Sequence, residues 1–207
     1  MTRRCGECQL CCKLLPMKAG ADERLRDGGE TIAAAIAIGV LTAREAANTV
    51  TDFDKPAGER CPHQRHHKGC AIYAKRPFGC RFWNCRWLAE DDTAELSRPD
   101  RSHYVVDVSP DFVRAEGRTI PVIQVWCDSD YPDAHRDPAL RAFLLRRAHE
   151  GYAALIRLSN VKAFALAAPP FNSDGEWHEV HSETVENEHT AEDKVAALGA
   201  LKITLKA

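Results

Sequence analysis

Cysteine is the residue type whose spacing in this chain points to chemistry. CGECQLCC, residues 5 to 12, places Cys5, Cys8, Cys11 and Cys12 within eight positions. Cys61, Cys70, Cys80 and Cys85 follow, and only Cys127 lies beyond them. A two-residue spacer lets a tight turn aim both sulfurs at one ion, so two CxxC steps sharing Cys8 form a metal-binding pattern. A double CxxC with a remote Cys61-Pro62 also matches part of the ferredoxin run for a four-iron cluster. The match is partial, because the ferredoxin run keeps its fourth cysteine close by. Adjacent Cys11 and Cys12 add a constraint. Neighbouring side chains diverge, most of all in an extended segment, so two centres side by side, each taking one of the pair, satisfy both. Eight cysteines then divide into two four-thiolate sites, or into one cluster and an accessory pair. The competing reading of any one cysteine is a small buried hydrophobe, and it is the preferred reading for Cys127, which sits in a strand-like run.

Taken together, CGECQLCC and CPHQRHHKGCAIYAKRPFGCRFWNC resemble the CxxCxxCC cysteine-cluster family of YkgJ-type proteins. Cys5, Cys8, Cys11 and Cys12 match the first block of the family pattern. Cys61, Cys70, Tyr73, Arg76, Pro77, Cys80, Arg81 and Cys85 match the second. The resemblance covers residues 5 to 85 and implies a zinc- or iron-chelating protein, often described as an iron–sulfur oxidoreductase. It implies the eight cysteines as metal ligands, with an iron–sulfur cluster favoured over zinc. A related bacterial group with a comparable cysteine set methylates flagellin lysines, so side-chain modification is a further implication, although no nucleotide-binding Gly-rich loop accompanies it. Residues 86 to 207 carry no motif of the family.

The residues around the thiols fit an anionic centre. Between Arg60 and Trp87 stand seven Lys/Arg (Arg60, Arg65, Lys68, Lys75, Arg76, Arg81 and Arg86) and no Asp or Glu. Arg76 and Arg81 are the expected donors toward sulfur or nearby backbone. Pro77 would fix the turn presenting Cys80, and Tyr73, Phe78, Phe82, Trp83 and Trp87 would shield the site from water. Tyr73, Arg76 and Arg81 are therefore the candidate cofactor-contacting residues. His63, His66 and His67 read as a solvated loop rather than ligands. His178 and His181 would face opposite sides of a strand. Asp128, Asp130 and Asp133 read as an exposed acidic turn before a hard-cation site.

The elements that must position these groups are short near the thiols and regular beyond them. Residues 22 to 50 read as helices, broken at Gly28-Gly29 and restarted at the Thr42/Glu45 capping box. Residues 52 to 72 read as loop. HYVVDVS, DFVRAEG, TIPVIQVWCD, VKAFALAA and EWHEVHSETV read as strands. Asp137-Pro138 starts a helix expected to run about five turns through Leu158. A short helix is expected after Thr190. The class is α+β: a cysteine-rich helical and loop metal-binding region (residues 1–90) packed on a small mixed sheet with one long helix (residues 91–207), the two forming one compact unit.

Composition excludes some functions. The net charge of -2 argues against general nucleic-acid binding. IAAAIAIGVL is about half a bilayer span, so no membrane segment is expected, and the thiols point to a reducing cytoplasm. The functional expectation is a metal-binding protein in electron transfer or redox chemistry with an unidentified protein donor or acceptor. The alternatives are a structural zinc module in a protein- or nucleic-acid-binding protein, and a side-chain-modifying enzyme.

Overall fold

The protein is described by a computed structural model over residues 3–5, 7–17, 54–65, 68–77, 80, 83–108, 111–115, 118–159 and 162–180. The helices expected over residues 22 to 50 and after Thr190 lie outside the described residues.

A hairpin precedes the sheet: β1 (Gln64–Arg65) pairs with β2 (Gly69–Cys70) inside the stretch expected to be loop. Gly69 takes φ 81, which favours glycine there. The mixed sheet follows, built from β3 (Tyr104–Val106), β4 (Asp111–Ala115), β5 (Arg118–Cys127), β6 (Ala153–Arg157), β7 (Ala163–Ala167) and β8 (His178–Val180). The order is β3-β5-β6-β7-β8, with β4 pairing the N-terminal half of β5. β5 and β6 run parallel, Val122 opposite Ala153, and the other pairings are antiparallel. A parallel pair needs a crossover, and a helix supplies it.

That helix is shorter than the sequence pattern suggested. Asp137 caps it, accepting from the Ala139 and Leu140 N–H groups, and Pro138 opens it as expected. It ends at His149 after 12 residues, about three turns. Gly151 adopts φ 91; its N–H bonds to Ala148 O, and that of Tyr152 bonds to Arg147 O. This pair of bonds closes a helix C-terminus on a left-handed glycine. AALIR, expected to continue the helix, is β6, buried throughout after Ala153. A strand covered on both faces reads as an unbroken apolar run, which periodicity cannot separate from a helix. Tyr152 and Leu155 thus lie outside the helix.

Alternation along the strands sends side chains to two cores. Tyr104, Val106, Ile123, Val125 and Cys127 face Leu140, Phe143 and Leu144 of the helix. Val105 and Trp126, from the same strands, face Cys8, Leu10 and Leu14. The second core joins the sheet to the cysteines.

Candidate metal centre

Helix α1 (Leu10–Leu14) carries Cys11 and Cys12. Leu10 and Leu14, one turn apart, are buried against Val105 and Trp126 and fix its orientation. The vicinal cysteines are therefore helical rather than extended. Consecutive positions on a helix still point about 100° apart. Before α1, the Cys8 N–H bonds to Cys5 O at 2.9 Å, the tight turn a CxxC step requires. Arg3 anchors this turn: its guanidinium donates to Trp87 O, to Glu90 O at 3.0 Å and to Thr93 Oγ1 at 2.8 Å. It thereby holds the Cys5 segment at the C-terminal end of α2 (Arg86–Ala89), the helix that Cys85 precedes.

The thiols fall into two sets. Cys8 shares one apolar cluster with Cys11, Cys85 and Trp83, and Cys5 lies one turn from Cys8. The other set gathers around Cys12. Its carbonyl accepts the Cys61 N–H at 3.2 Å, and Leu14 O accepts Gly58 N–H at 3.1 Å. The β1–β2 hairpin then returns Cys70 opposite Gln64, whose N–H bonds to Cys61 O at 2.9 Å. Cys80 Sγ lies 3.7 Å from Met17 Sδ.

Electrostatics follows the same division. Burial and then the charges of Cys12, Cys61 and Cys70 push the Cys80 thiol up to about 12. Burial raises Cys61 also, with Cys12 and Cys70 adding to it. Burial raises Cys85, and Cys8 is the cysteine acting on it. Cys11 is raised by its hydrogen bond with Cys12, by burial, and by Cys12, Cys5 and Cys8. Cys12 is lowered to about 7 by the Cys11 hydrogen bond, helped by Lys55 and Arg76. Cys5 is lowered by its bond to Cys8, although Cys85 and Cys12 oppose this. The vicinal pair is thus the electrical junction between the sets. Arg76 acts on Cys12 and Cys80 and stacks its guanidinium 3.8 Å from the Tyr73 ring centroid.

Several expectations change. Tyr73 is 64% exposed and shields nothing; it is the base on which Arg76 rests. Trp87 packs on the opposite core and donates to Leu96 O at 3.0 Å. The acidic turn is not simply solvated: Asp128 is buried, and Lys13 Nζ donates to Asp128 at 2.5 Å and Asp130 at 2.7 Å. This clamp ties α1 to the end of β5. Cys127 is buried in the sheet core, where burial raises its thiol to about 12. His63 offers its backbone carbonyl to Ala71. Arg81, His66, His67, Phe78, Phe82 and His181 lie outside the described residues.

Three contributors escaped the sequence reading. Asp107, buried, accepts from both Trp83 Nε1 (2.8 Å) and Trp126 Nε1 (3.2 Å), locking two indoles behind the first set. Lys13 and Lys55 are buried cations, Lys55 Nζ donating to Lys13 O. No local motif marks them, because each is defined by residues far away in the chain.

The donor set suits a thiophilic metal: all nine cysteines are free thiols, and eight are gathered as described. As placed, no group of three or more His, Cys, Asp or Glu among the described residues is arranged to hold an ion. Cys5 interacts with Cys8, and Cys11 with Cys12, so closure on a metal requires side-chain rotation and loss of protons. A shallow cleft of about 550 Å³ lies elsewhere, lined by Arg101, His103, Asp130, Tyr131, Asp133 and Asp137. No helix among the described residues is long and apolar enough to cross a membrane.

Comparison with known protein families finds a match to the cysteine-rich part of the chain. The model of the CxxCxxCC family, described as a "putative zinc- or iron-chelating domain", matches residues 4–100. No curated protein and no solved structure matches the chain. The match begins one residue before Cys5 and takes in every cysteine but Cys127. Over residues 4–100, a little under half of its length, this chain is similar to the CxxCxxCC family.

Proposed function

We propose that the protein holds two four-thiolate metal centres side by side, and that they serve redox or electron-transfer chemistry with a protein partner. Cys5, Cys8, Cys11 and Cys85 would hold the first, and Cys12, Cys61, Cys70 and Cys80 the second. The observation carrying this reading is that Cys11 and Cys12, adjacent on one helical turn, have different neighbours: Cys11 packs with Cys8 and Cys85, and Cys12 bonds to the Cys61 segment. A single centre would need both to converge. Iron–sulfur clusters are favoured over zinc, since paired CxxC steps suit them and Trp83 and Trp126 share an apolar cluster with Cys8, Cys11 and Cys85 of the first set. A bound cluster would supply a one-electron couple. The chain's own part is to hold eight thiolates, offset their charge with Lys55 and Arg76, and pack two indoles beside the first set.

The second set lies beneath a basic hairpin. Arg60, Arg65, Lys68 and Lys75 are exposed there, with no Asp or Glu between Arg60 and Trp87. Such a face suits an acidic protein surface and favours rapid, salt-sensitive encounter.

The test is anaerobic purification of the untagged chain, with its absorption spectrum and total iron and zinc. A broad band near about 400 nm and several irons per chain are expected, from thiolate-to-iron charge transfer. A colourless protein with two zincs would keep the two centres and transfer the role to a structural module. Neither metal at near-stoichiometric level would end the proposal.

A further inference from the structure

Lys55 is only 4% exposed, an uncommon place for a lysine. Its Nζ donates to Lys13 O at 2.9 Å, Pro56 O at 2.9 Å and Glu59 O at 2.8 Å. Three acceptors take all three ammonium hydrogens. Its backbone also bonds in both directions with Met17, each at 2.8 Å. Among the described residues no carboxylate lies within ion-pairing distance of it.

These partners share a property. Lys13 follows Cys12, Glu59 stands two residues before Cys61, and Met17 touches Cys80. Each acceptor outside Lys55's own neighbour belongs to a segment carrying a thiol of the second set. Carbonyl dipoles alone poorly repay the cost of removing a cation from water. A nearby dianionic four-thiolate centre repays it, and the cation in turn offsets the centre's charge. Among the described residues the first set has no such buried lysine: Arg3 and the sheet face hold it.

We infer that Lys55 is a positioning residue for the second centre alone, clasping α1 to the Cys61 segment and supplying a buried counter-charge. The inference rests on the two-centre reading above.

The test is an anaerobic zinc titration of the apo full chain against a chromophoric competitor. Wild type, Lys55→Met, Lys55→Gln and Lys55→Arg would be compared, with tryptophan fluorescence reporting the Trp83–Trp126 face. Wild type should bind two zincs. In Lys55→Met and Lys55→Gln one zinc should hold its affinity within about twofold while the other weakens about 10–100-fold, the usual effect of removing a group that supports ligands. Lys55→Arg, keeping the charge and donors, should recover part of the loss, which a purely space-filling role would not allow. Equal weakening of both zincs, or no change in either, overturns the inference; Lys55→Gln decides if Lys55→Met does not fold. One zinc per wild-type chain would instead overturn the two-centre reading, and the inference with it.

Discussion

On one face of the sheet, Val125, Leu140, Phe143 and Ile156 are completely buried and the cover is a 12-residue helix. On the other, the cover is α1, of five residues, to which the Cys61 segment and its hairpin of two residues per strand are bonded. The first face is held by apolar burial, each large side chain contributing about 1.5–3 kcal/mol. The second has two apolar anchors in α1 and otherwise depends on backbone bonds, two buried lysines and a crowd of thiols. Elements this short do not persist on propensity. The difference teaches that residues 91 to 180 contain the means of their own stability, whereas the cysteine segments require a further binding energy. On the proposed reading, the bound metal would supply that energy as folding energy.

The largest expected effect separates the faces directly. Removing metal with a strong chelator should unfold the cysteine segments and leave the sheet intact, since a structural zinc contributes about 10–16 kcal/mol in small thiolate sites. Hydrogen exchange should rise at Cys61, Gly58 and Leu15, whose amides bond within those segments, but not in β5 and β6. Uniform protection after chelation would break the comparison.

Phe143→Ala probes the opposite face. It should cost about 3–5 kcal/mol in denaturant unfolding by opening a core cavity, with metal content unchanged. Loss of metal in that variant would mean that the two faces are not energetically distinct.

Lys13→Met attacks the junction. The Lys13 and Asp128 side chains are 11% and 6% exposed. Stranding a buried carboxylate costs about 3 kcal/mol. Asp128→Asn in the same chain should recover part of this in a double-mutant cycle.

The smallest effect is at the far edge. The Glu179 carboxyl is held below its ordinary 4.5, first by His135 Nε2 at 2.9 Å and then by Arg136 and Arg141. A depressed carboxyl stabilises the fold above its unfolded-state value, and that stabilisation is lost as pH falls through the lower native value. Between neutrality and pH 4.5 the tether of β8 should be constant. Its amide protection should fall only in more acid solution, and Glu179→Gln should remove that dependence.

Much of this was legible in the sequence for identifiable reasons. Asp137-Pro138 announced its helix because capping is a local event. TIPVIQVWCD announced its strand by β-branching. The cysteine spacing announced the family match over residues 4–100. AALIR was misread because burial on both faces erases the alternation that marks a strand. Lys13, Lys55 and Asp107 were invisible because their partners lie 19 to 117 residues away or are backbone carbonyls. The acidic turn looked solvated because the lysine that closes it comes from the other end of the described chain.

The central claim is the division at Cys11 and Cys12, and one experiment meets it squarely: metal content and spectrum of Cys11→Ser, Cys85→Ser, Cys12→Ser and Cys61→Ser, purified anaerobically. The account predicts that Cys11→Ser and Cys85→Ser lose one and the same centre, while Cys12→Ser and Cys61→Ser lose the other. Loss of the same centre in Cys11→Ser and Cys12→Ser would contradict it.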